Sequence, residues 1–333
     1  MMTNSSMMLI SAGVLAVVVA VIPNVVWGIW SLLALTGVCS RPCYAPFGWT
    51  AAGLVLVVWG VMAYGFFVGR FQREVVRTEY RNAAIPVSFD GYKIVHISDL
   101  HLSTFNDNPA ALQSVVDSIN AQQADVICFT GDLVTFGVAE AEPFAEILRG
   151  LHARDGVVSV LGNHDMMIYT QLSPEEQVAE VERLVVFERD VLGGTVLRND
   201  HKEVCRGGER LTIVGVDNSS CGDEGFKTIH TGDLGKALLG TEGFRILLSH
   251  DPTHWRAEVV PQTDIPLTLS GHTHSGQIRL FGVPLSRMLF SESAGWYSTE
   301  DGRQSLYVNS GIGCTLPVRI ACPSEVSVIR LRR

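Results

Sequence analysis

The stretch Lys93-Ile94-Val95-His96-Ile97-Ser98-Asp99-Leu100-His101 reads as a β-strand that runs straight into a carboxylate and an imidazole. The pattern recurs along the chain. The apolar run 125–129 leads to Gly131-Asp132, and 157–161 leads to Gly162-Asn163-His164-Asp165. Further on, 244–248 leads to Ser249-His250-Asp251, and 266–269 leads to Gly271-His272-Thr273-His274. Between these strands lie helix signals. Asn108-Pro109 is a cap followed by a first-turn proline, opening a helix to about Ala121. A second helix is predicted around 143–151, and Ser173-Pro174-Glu175-Glu176 opens a third. Additional strands are predicted at 195–197, 202–205, 211–216, 277–281, 305–308 and 326–331. Alternating strands and helices predict an α/β domain. In such sheets, sites form in the crevice beyond the carboxyl ends of the strands.

Each motif alone is weak, because a Gly-Asp pair is commonly a turn and a lone histidine is commonly structural. Repeated at successive strand ends, they describe one site. Carboxylate, imidazole and amide donors suit Mn, Fe or Zn. A shared carboxylate can hold two such ions about 3.5–4 Å apart, where they acidify a shared water and clamp phosphoryl oxygens.

In this order, DxH, GD, GNHD, H and GHTH, the chain resembles the calcineurin-like metallophosphoesterases over about residues 90–331. The resemblance implies a four-layer αββα sandwich, two mixed sheets packed together with helices outside. It implies that Asp99, His101 and His274 bind one divalent metal, that Asn163, His250 and His272 bind a second, and that Asp132 bridges both. His164 is then the catalytic histidine, which binds no metal and either protonates the leaving oxygen or stabilises its charge. Asp165 reads equally as an orienter of that imidazole and as an acid capping the next turn. Asp90-Gly91-Tyr92-Lys93-Ile94, and Gly276-Gln277 after the GHTH segment, are most similar to the membrane-associated bacterial branch of YkuE-like and YaeI-like proteins. Some of that wider group hydrolyse the pyrophosphate of UDP-2,3-diacylglucosamine in lipid A synthesis. Ser275 and Ser310 depart from the family pattern, the latter where a basic residue is expected.

Residues 1–69 are of another kind, with Arg41 as their only charged side chain. The apolar runs 9–35 and 49–68 are each long enough to span a bilayer and predict a helical hairpin, with 70–89 as a linker and 90–333 as the phosphoesterase domain. A cleaved signal peptide is disfavoured because the start carries no basic residue. Arg70, Arg73, Arg77 and Arg81 follow the second run, so the positive-inside rule puts the catalytic domain on the cytoplasmic side of a bacterial inner membrane. The net charge of −9 argues against nucleic acid as a partner. A phosphorylated small molecule or a lipid-linked phosphate at the bilayer is the expected partner. Seven cysteines show no CxxC spacing, which argues against a cysteine zinc site. Cys39 and Cys43 flank the hairpin loop and can pair in an oxidising compartment.

His96 reads as core, while His152, His201, His230 and His254 read as surface residues, with His254 alternatively supporting the site. Asp251 reads as a helix cap. Phe105, Asn106, Trp296 and Tyr297 are candidate substrate contacts, the last two alternatively a cover on the sheet. Two other classes compete with the enzyme: a scaffold that keeps the fold to bind partners, and a membrane sensor. A scaffold is expected to lose ligands, and here none is missing.

Overall fold

A computed structural model of the chain describes residues 3–222, 225 and 227–333. It divides into two units, Met1–Arg70 with Leu316–Ile320, and Phe71–Thr315 with Ala321–Arg333.

The first unit contains α1 (Asn4–Leu35) and α2 (Ala45–Phe67). Both start ahead of the apolar runs that predict them. The Thr3 hydroxyl accepts from Ser6 N and caps α1, and Pro46 sits in the first turn of α2, where its missing N–H costs nothing. Pro23 lies within α1, and the neighbouring Asn24 returns its side-chain amide to the Ala20 carbonyl at 2.7 Å. By length and composition both helices can cross a membrane. Val17, Leu32 and Leu56 stand exposed, a large apolar surface of the kind that marks a membrane or protein partner. Leu316–Ile320 joins this unit because glycines in the last turn of α2 and just beyond it leave room for that segment. A Cβ on Gly69 would clash with the Arg319 carbonyl, and Arg319 N donates to Gly65 O at 3.3 Å.

The second unit is built on two six-stranded mixed sheets. The first comprises β1 (Arg73–Arg81), β2 (Lys93–Ile97), β3 (Val126–Phe129), β4 (Val157–Ser159), β5 (Thr195–Val196) and the last strand, β14 (Ser324–Arg332). Its order is β1-β14-β2-β3-β4-β5, with β2 to β5 parallel. The second comprises β6 (Asp200–Arg206), β7 (Glu209–Gly215), β8 (Phe244–Leu248), β9 (Leu267–Ser270), β12 (Gly295–Ser298) and β13 (Ser305–Val308), in the order β12-β13-β9-β8-β7-β6. A small hairpin, β10 (Arg279–Leu280) with β11 (Val283–Pro284), stands apart.

Alternating side chains explain the layers. Ile94, Val126, Cys128 and Val158 from one sheet meet Leu211, Ile213, Ile246 and Leu267 from the other, forming the core between them. The opposite face of the first sheet packs on α3 (Pro109–Asn120), α4 (Ala145–Leu148) and α5 (Pro174–Leu192) through Leu112, Leu148 and Leu184. The outer face of the second sheet packs on a helical segment carrying Trp255 and Val259. The result is the expected αββα sandwich. Parallel strands make their carboxyl ends coincide, so the loops after β2, β3, β4, β8 and β9 meet at one edge.

Two expectations need correction, and one further strand was not foreseen. Residues 70–89 are not simply a linker. β1 pairs in parallel with β14 from Arg73↔Ser324 to Arg81↔Arg332, because its amides complete an otherwise open sheet edge. The predicted strand 277–281 is a tight turn through His274–Gln277 followed by the two-residue β10. The Gly/Ser-rich segment 291–302 contains β12, paired antiparallel with β13.

Candidate metal centre

Asp99, His101, Asp132, Asn163, His164, His250, His272 and His274 converge at this edge, all buried except the partly exposed His164 and His272. Their donors form two sets. In one, His274 Nε2 lies 3.1 Å from His101 Nε2 and 3.4 Å from Asp99 Oδ1. In the other, Asn163 Oδ1 lies 2.9 Å from His250 Nε2 and 3.0 Å from His272 Nδ1. One oxygen, Asp132 Oδ2, stands between the sets, 3.5 Å from His101 Nε2 and 3.3 Å from His250 Nε2. Donors bound at about 2.0–2.2 Å to a shared ion sit roughly 3 Å apart, so this cluster fits divalent metals.

The rings are held from behind. His250 Nδ1 donates to the Thr130 carbonyl at 2.7 Å, and His101 Nδ1 meets the Thr135 hydroxyl at 3.2 Å, so each turns Nε2 inward. His272 turns Nδ1 inward while its Nε2 faces Asp251 Oδ2 at 3.7 Å. Asp251 also accepts from Thr253 N, so it combines the expected turn cap with support of a ligand ring. Burial would raise the Asp132 carboxyl, but His250, His164 and His101 around it hold it well below the usual carboxylate range. Burial lowers His250, yet Asp132 and Asp99 outweigh it and bring that imidazole up to about 10.

The motif glycines have a steric reason. A Cβ on Gly162 would strike Asp132 Oδ1 and come within 2.7 Å of His250 Cε1. One on Gly271 would strike the Ser98 hydroxyl and crowd Asp99. Five of the clustered residues adopt positive φ: Asp99 (53°), His101 (36°), Asp132 (58°), His272 (70°) and His274 (49°). Such left-handed backbone is strained outside glycine and clusters at functional sites.

His164 stands at the rim. Its backbone N donates to Asp132 Oδ1 at 2.9 Å, and its Nδ1 donates to the Thr135 carbonyl at 3.0 Å. Asp165 is not its orienter. That carboxylate is buried and accepts from the amides of Asp132 (2.6 Å), Gly162 (3.0 Å) and Val134 (3.2 Å), tying the β3 and β4 loops together. Burial, with Asp132 and Glu188 nearby, pushes its carboxyl upward. Sequence reading also missed Tyr169. Its hydroxyl accepts from Asn163 Nδ2 at 2.9 Å and its ring packs 4.5 Å from that of His164. No motif marks it, since only the fold brings it over the site.

Other candidates fall elsewhere. Phe105 is in the core of the first sheet, and Asn106 is exposed. Trp296 stacks on Tyr80 at 5.8 Å and donates to the Thr78 hydroxyl, and the Tyr297 hydroxyl accepts from Ser293 N, so both cover the sheet. His96 is core, as expected, with Nε2 on Thr130 Oγ1 at 2.9 Å, and burial lowers it to about 3. His254 is not a surface residue but fully buried. Where Ser310 replaces an expected base, its hydroxyl accepts from Arg279 Nη2 at 3.0 Å.

Glu188, on α5, is buried beneath the site and accepts from the Ser159 hydroxyl at 2.6 Å, while its Oε1 has no hydrogen bond. Burial pushes its carboxyl up to about 7 from 4.5. A carboxyl raised in the folded state holds a proton that the unfolded chain releases, so its contribution is present below about pH 4.5 and lost as pH rises through about 7. Glu188→Gln is therefore expected to be near neutral at pH 5 and stabilising at pH 8, by on the order of 1–3 kcal/mol. Thermal melts at both pH values check this, and an equal difference at both would show that Glu188 ionises normally.

Residues 92–276 match the calcineurin-like phosphoesterase family. The chain is 33% identical over 300 residues to the uncharacterized metallophosphoesterase YkuE of Bacillus subtilis, covering 86% of this chain and 94% of that protein. It is 32% identical over 291 residues to a Danio rerio transmembrane protein with metallophosphoesterase domain, covering 84% of this chain and 62% of that longer protein. Among solved structures, the NAD nucleotidase of Haemophilus influenzae is similar at a TM-score of 0.43 and 15% identity, covering 67% of this chain and 45% of that one. With the family match spanning more than half its length, the chain belongs to the calcineurin-like metallophosphoesterases, metal-dependent hydrolases of phosphoric esters.

Proposed function

We propose that this protein is a membrane-anchored phosphodiesterase or pyrophosphatase that works with two divalent metal ions, Mn, Fe or Zn, on a lipid-linked substrate such as UDP-2,3-diacylglucosamine. The observation that carries the two-ion reading is the position of Asp132 Oδ2, within 3.5 Å of a ligand nitrogen from each donor set. Asp99, His101 and His274 would hold one ion, Asn163, His250 and His272 the other, with Asp132 common to both. When bound, the ions acidify a water and neutralise phosphoryl oxygens. His164 supplies what they do not. With Nδ1–H engaged by the Thr135 carbonyl, Nε2 is the nitrogen available to give a proton to the leaving oxygen. Tyr169 and Asp251 keep Asn163 and His272 in register.

Anchoring supports the lipid-linked part. Two charge-poor helices precede the domain, and a relative is named a transmembrane protein. Arg70, Arg73, Arg77 and Arg81 orient the hairpin with both ends and the catalytic domain at the cytoplasmic face of a bacterial inner membrane. A bilayer-held enzyme meets bilayer-held substrates far more often than soluble ones.

The full-length chain in detergent with Mn²⁺ is to be assayed on bis-p-nitrophenyl phosphate, p-nitrophenyl phosphate, and sugar nucleotides with and without acyl chains. The diester and the acylated pyrophosphate are expected to be turned over best. No turnover of any substrate by metal-loaded protein removes the enzymatic reading. Equal turnover with and without acyl chains removes the lipid-linked part.

A further inference from the structure

A second cluster of metal-ligating side chains lies on the outer side of the second sheet, and the phosphoesterase chemistry does not use it. Cys221 and His230 lie near the two ends of one loop, with Ser219 bridged antiparallel to His230. His254 and Glu258 sit four residues apart, the latter in the π-helical turn Trp255–Val259. Turns of this wide kind recur at functional sites because the extra residue re-aims side chains. Cys221, His230 and Glu258 each offer a ligand atom within 4.8 Å of the others. His230 faces Cys221 Sγ through Nδ1 at 3.6 Å and Glu258 Oε1 through Nε2 at 3.3 Å. Cys221 Sγ is 4.0 Å from Glu258 Oε1, and His254 Nε2 is 3.4 Å from Glu258 Oε2.

His254 adds an independent observation. It is fully buried, yet its Nε2 makes no hydrogen bond. Its Nδ1 is engaged by the Ser249 hydroxyl at 2.8 Å. A buried ring held at Nδ1 by a hydroxyl and turning Nε2 to Glu258 Oε2 at 3.4 Å has the arrangement of a support that orients a ligand carboxylate.

We propose that Cys221, His230 and Glu258 hold a single Zn²⁺, separate from the phosphoesterase centre, with His254 supporting Glu258 from behind. One thiolate, one imidazole and one carboxylate make a three-ligand set that leaves the fourth tetrahedral position to water. With zinc bonds of about 2.0–2.3 Å, the edges of such a tetrahedron run about 3.3–3.8 Å. The Cys221 Sγ–Glu258 Oε1 separation of 4.0 Å lies just beyond that range, and His230 faces both partners, Cys221 through Nδ1 and Glu258 through Nε2, so a turn of its ring brings one nitrogen onto a shared ion. On binding, the Cys221 thiol loses its proton to solvent, and the half-exposed His230 turns one nitrogen onto the ion. The ligands escape the CxxC pattern because they come from a loop and a helix that only the fold juxtaposes.

The consequence is structural. Cys221 N already donates to the Thr253 hydroxyl at 2.9 Å, Thr253 donates to Asp251, and Asp251 faces His272. Ser249, which holds His254, directly precedes His250. The ion therefore fastens Cys221 and His230 to the segment that carries a ligand and a ring support of the phosphoesterase site.

Cobalt substitution tests this, because a thiolate-to-Co²⁺ charge-transfer band reports cysteine ligation and the phosphoesterase centre contains no cysteine. The full-length chain loaded with Co²⁺ is expected to show the band, and Asp132→Asn is expected to keep it. Cys221→Ser, and separately the exposed His230→Ala, are expected to lose the band and one equivalent of metal, with circular dichroism unchanged. A parent protein without the band, or a band that survives either substitution, overturns the site. Loss of hydrolysis in Asp132→Asn with the band intact keeps this result distinct from the fate of the two-ion reading.

Discussion

Asp132→Asn is expected to reduce kcat/KM on a phosphodiester by about a thousandfold or more, with metal content falling and the fold retained. The physical reason is that one oxygen serves both donor sets. Asp132 Oδ2 is 3.5 Å from His101 Nε2 and 3.3 Å from His250 Nε2, and it is the negative charge that these imidazoles surround. An amide keeps the size of the side chain and removes the charge. The lost stabilisation of transition-state charge amounts to several kcal/mol, and each ~1.4 kcal/mol is tenfold in rate. Metal analysis beside steady-state kinetics checks the prediction. Full activity with full metal content would mean that Asp132 is not the shared ligand.

His164→Gln is expected to act differently, lowering kcat by about 10²–10⁴-fold while leaving bound metal unchanged. His164 is attached to the site through its backbone, by N–H to Asp132 Oδ1, and through Nδ1 to Thr135 O, so its Nε2 is spare for proton transfer. A proton donor matters most when the leaving group is a poor one. The loss is therefore expected to be larger on an alkyl phosphodiester than on a nitrophenyl ester, whose leaving oxygen needs little help. An equal loss on both, or a loss of metal, would reassign His164 to a positioning or ligating role.

The contrast between these two residues shows how much of the site was legible in the sequence. Each candidate ligand segment follows a β-rich run, and a strand's direction fixes which end of the sheet its next residues occupy. Asp99 after β2, Asp132 after β3, Asn163 after β4, His250 after β8 and His272 after β9 could therefore be read as one crevice. The glycines in these motifs were readable as turn residues, but their decisive property was not. Gly162 is needed because Asp132 and His250 approach its Cα, and that approach comes from strands 30 and more residues apart. Asp165 was ambiguous for a related reason. A carboxylate beside a histidine can serve the ring or the backbone, and three unpaired amides on neighbouring loops captured it.

Two errors at the edges have the same origin. β1 is charged and short of apolar residues, so nothing in its own composition announces burial, and its partner β14 lies at the other end of the chain. His254 carries no motif, and its burial depends on a helix packing against Ser249.

What the sequence by itself determined is local and directional. It determined strand and helix alternation, ligand chemistry at the strand ends, and two helices of membrane-spanning length. These follow from side-chain periodicity, capping and hydropathy, which act over a few residues. What only the tertiary structure decided is which donors stand around one oxygen, which carboxylate meets which amide, how five of the clustered residues are held in left-handed backbone, and that Cys221 and His230 face Glu258. Those are distances between segments far apart in the chain, set by sheet register and core packing, and no local pattern encodes them.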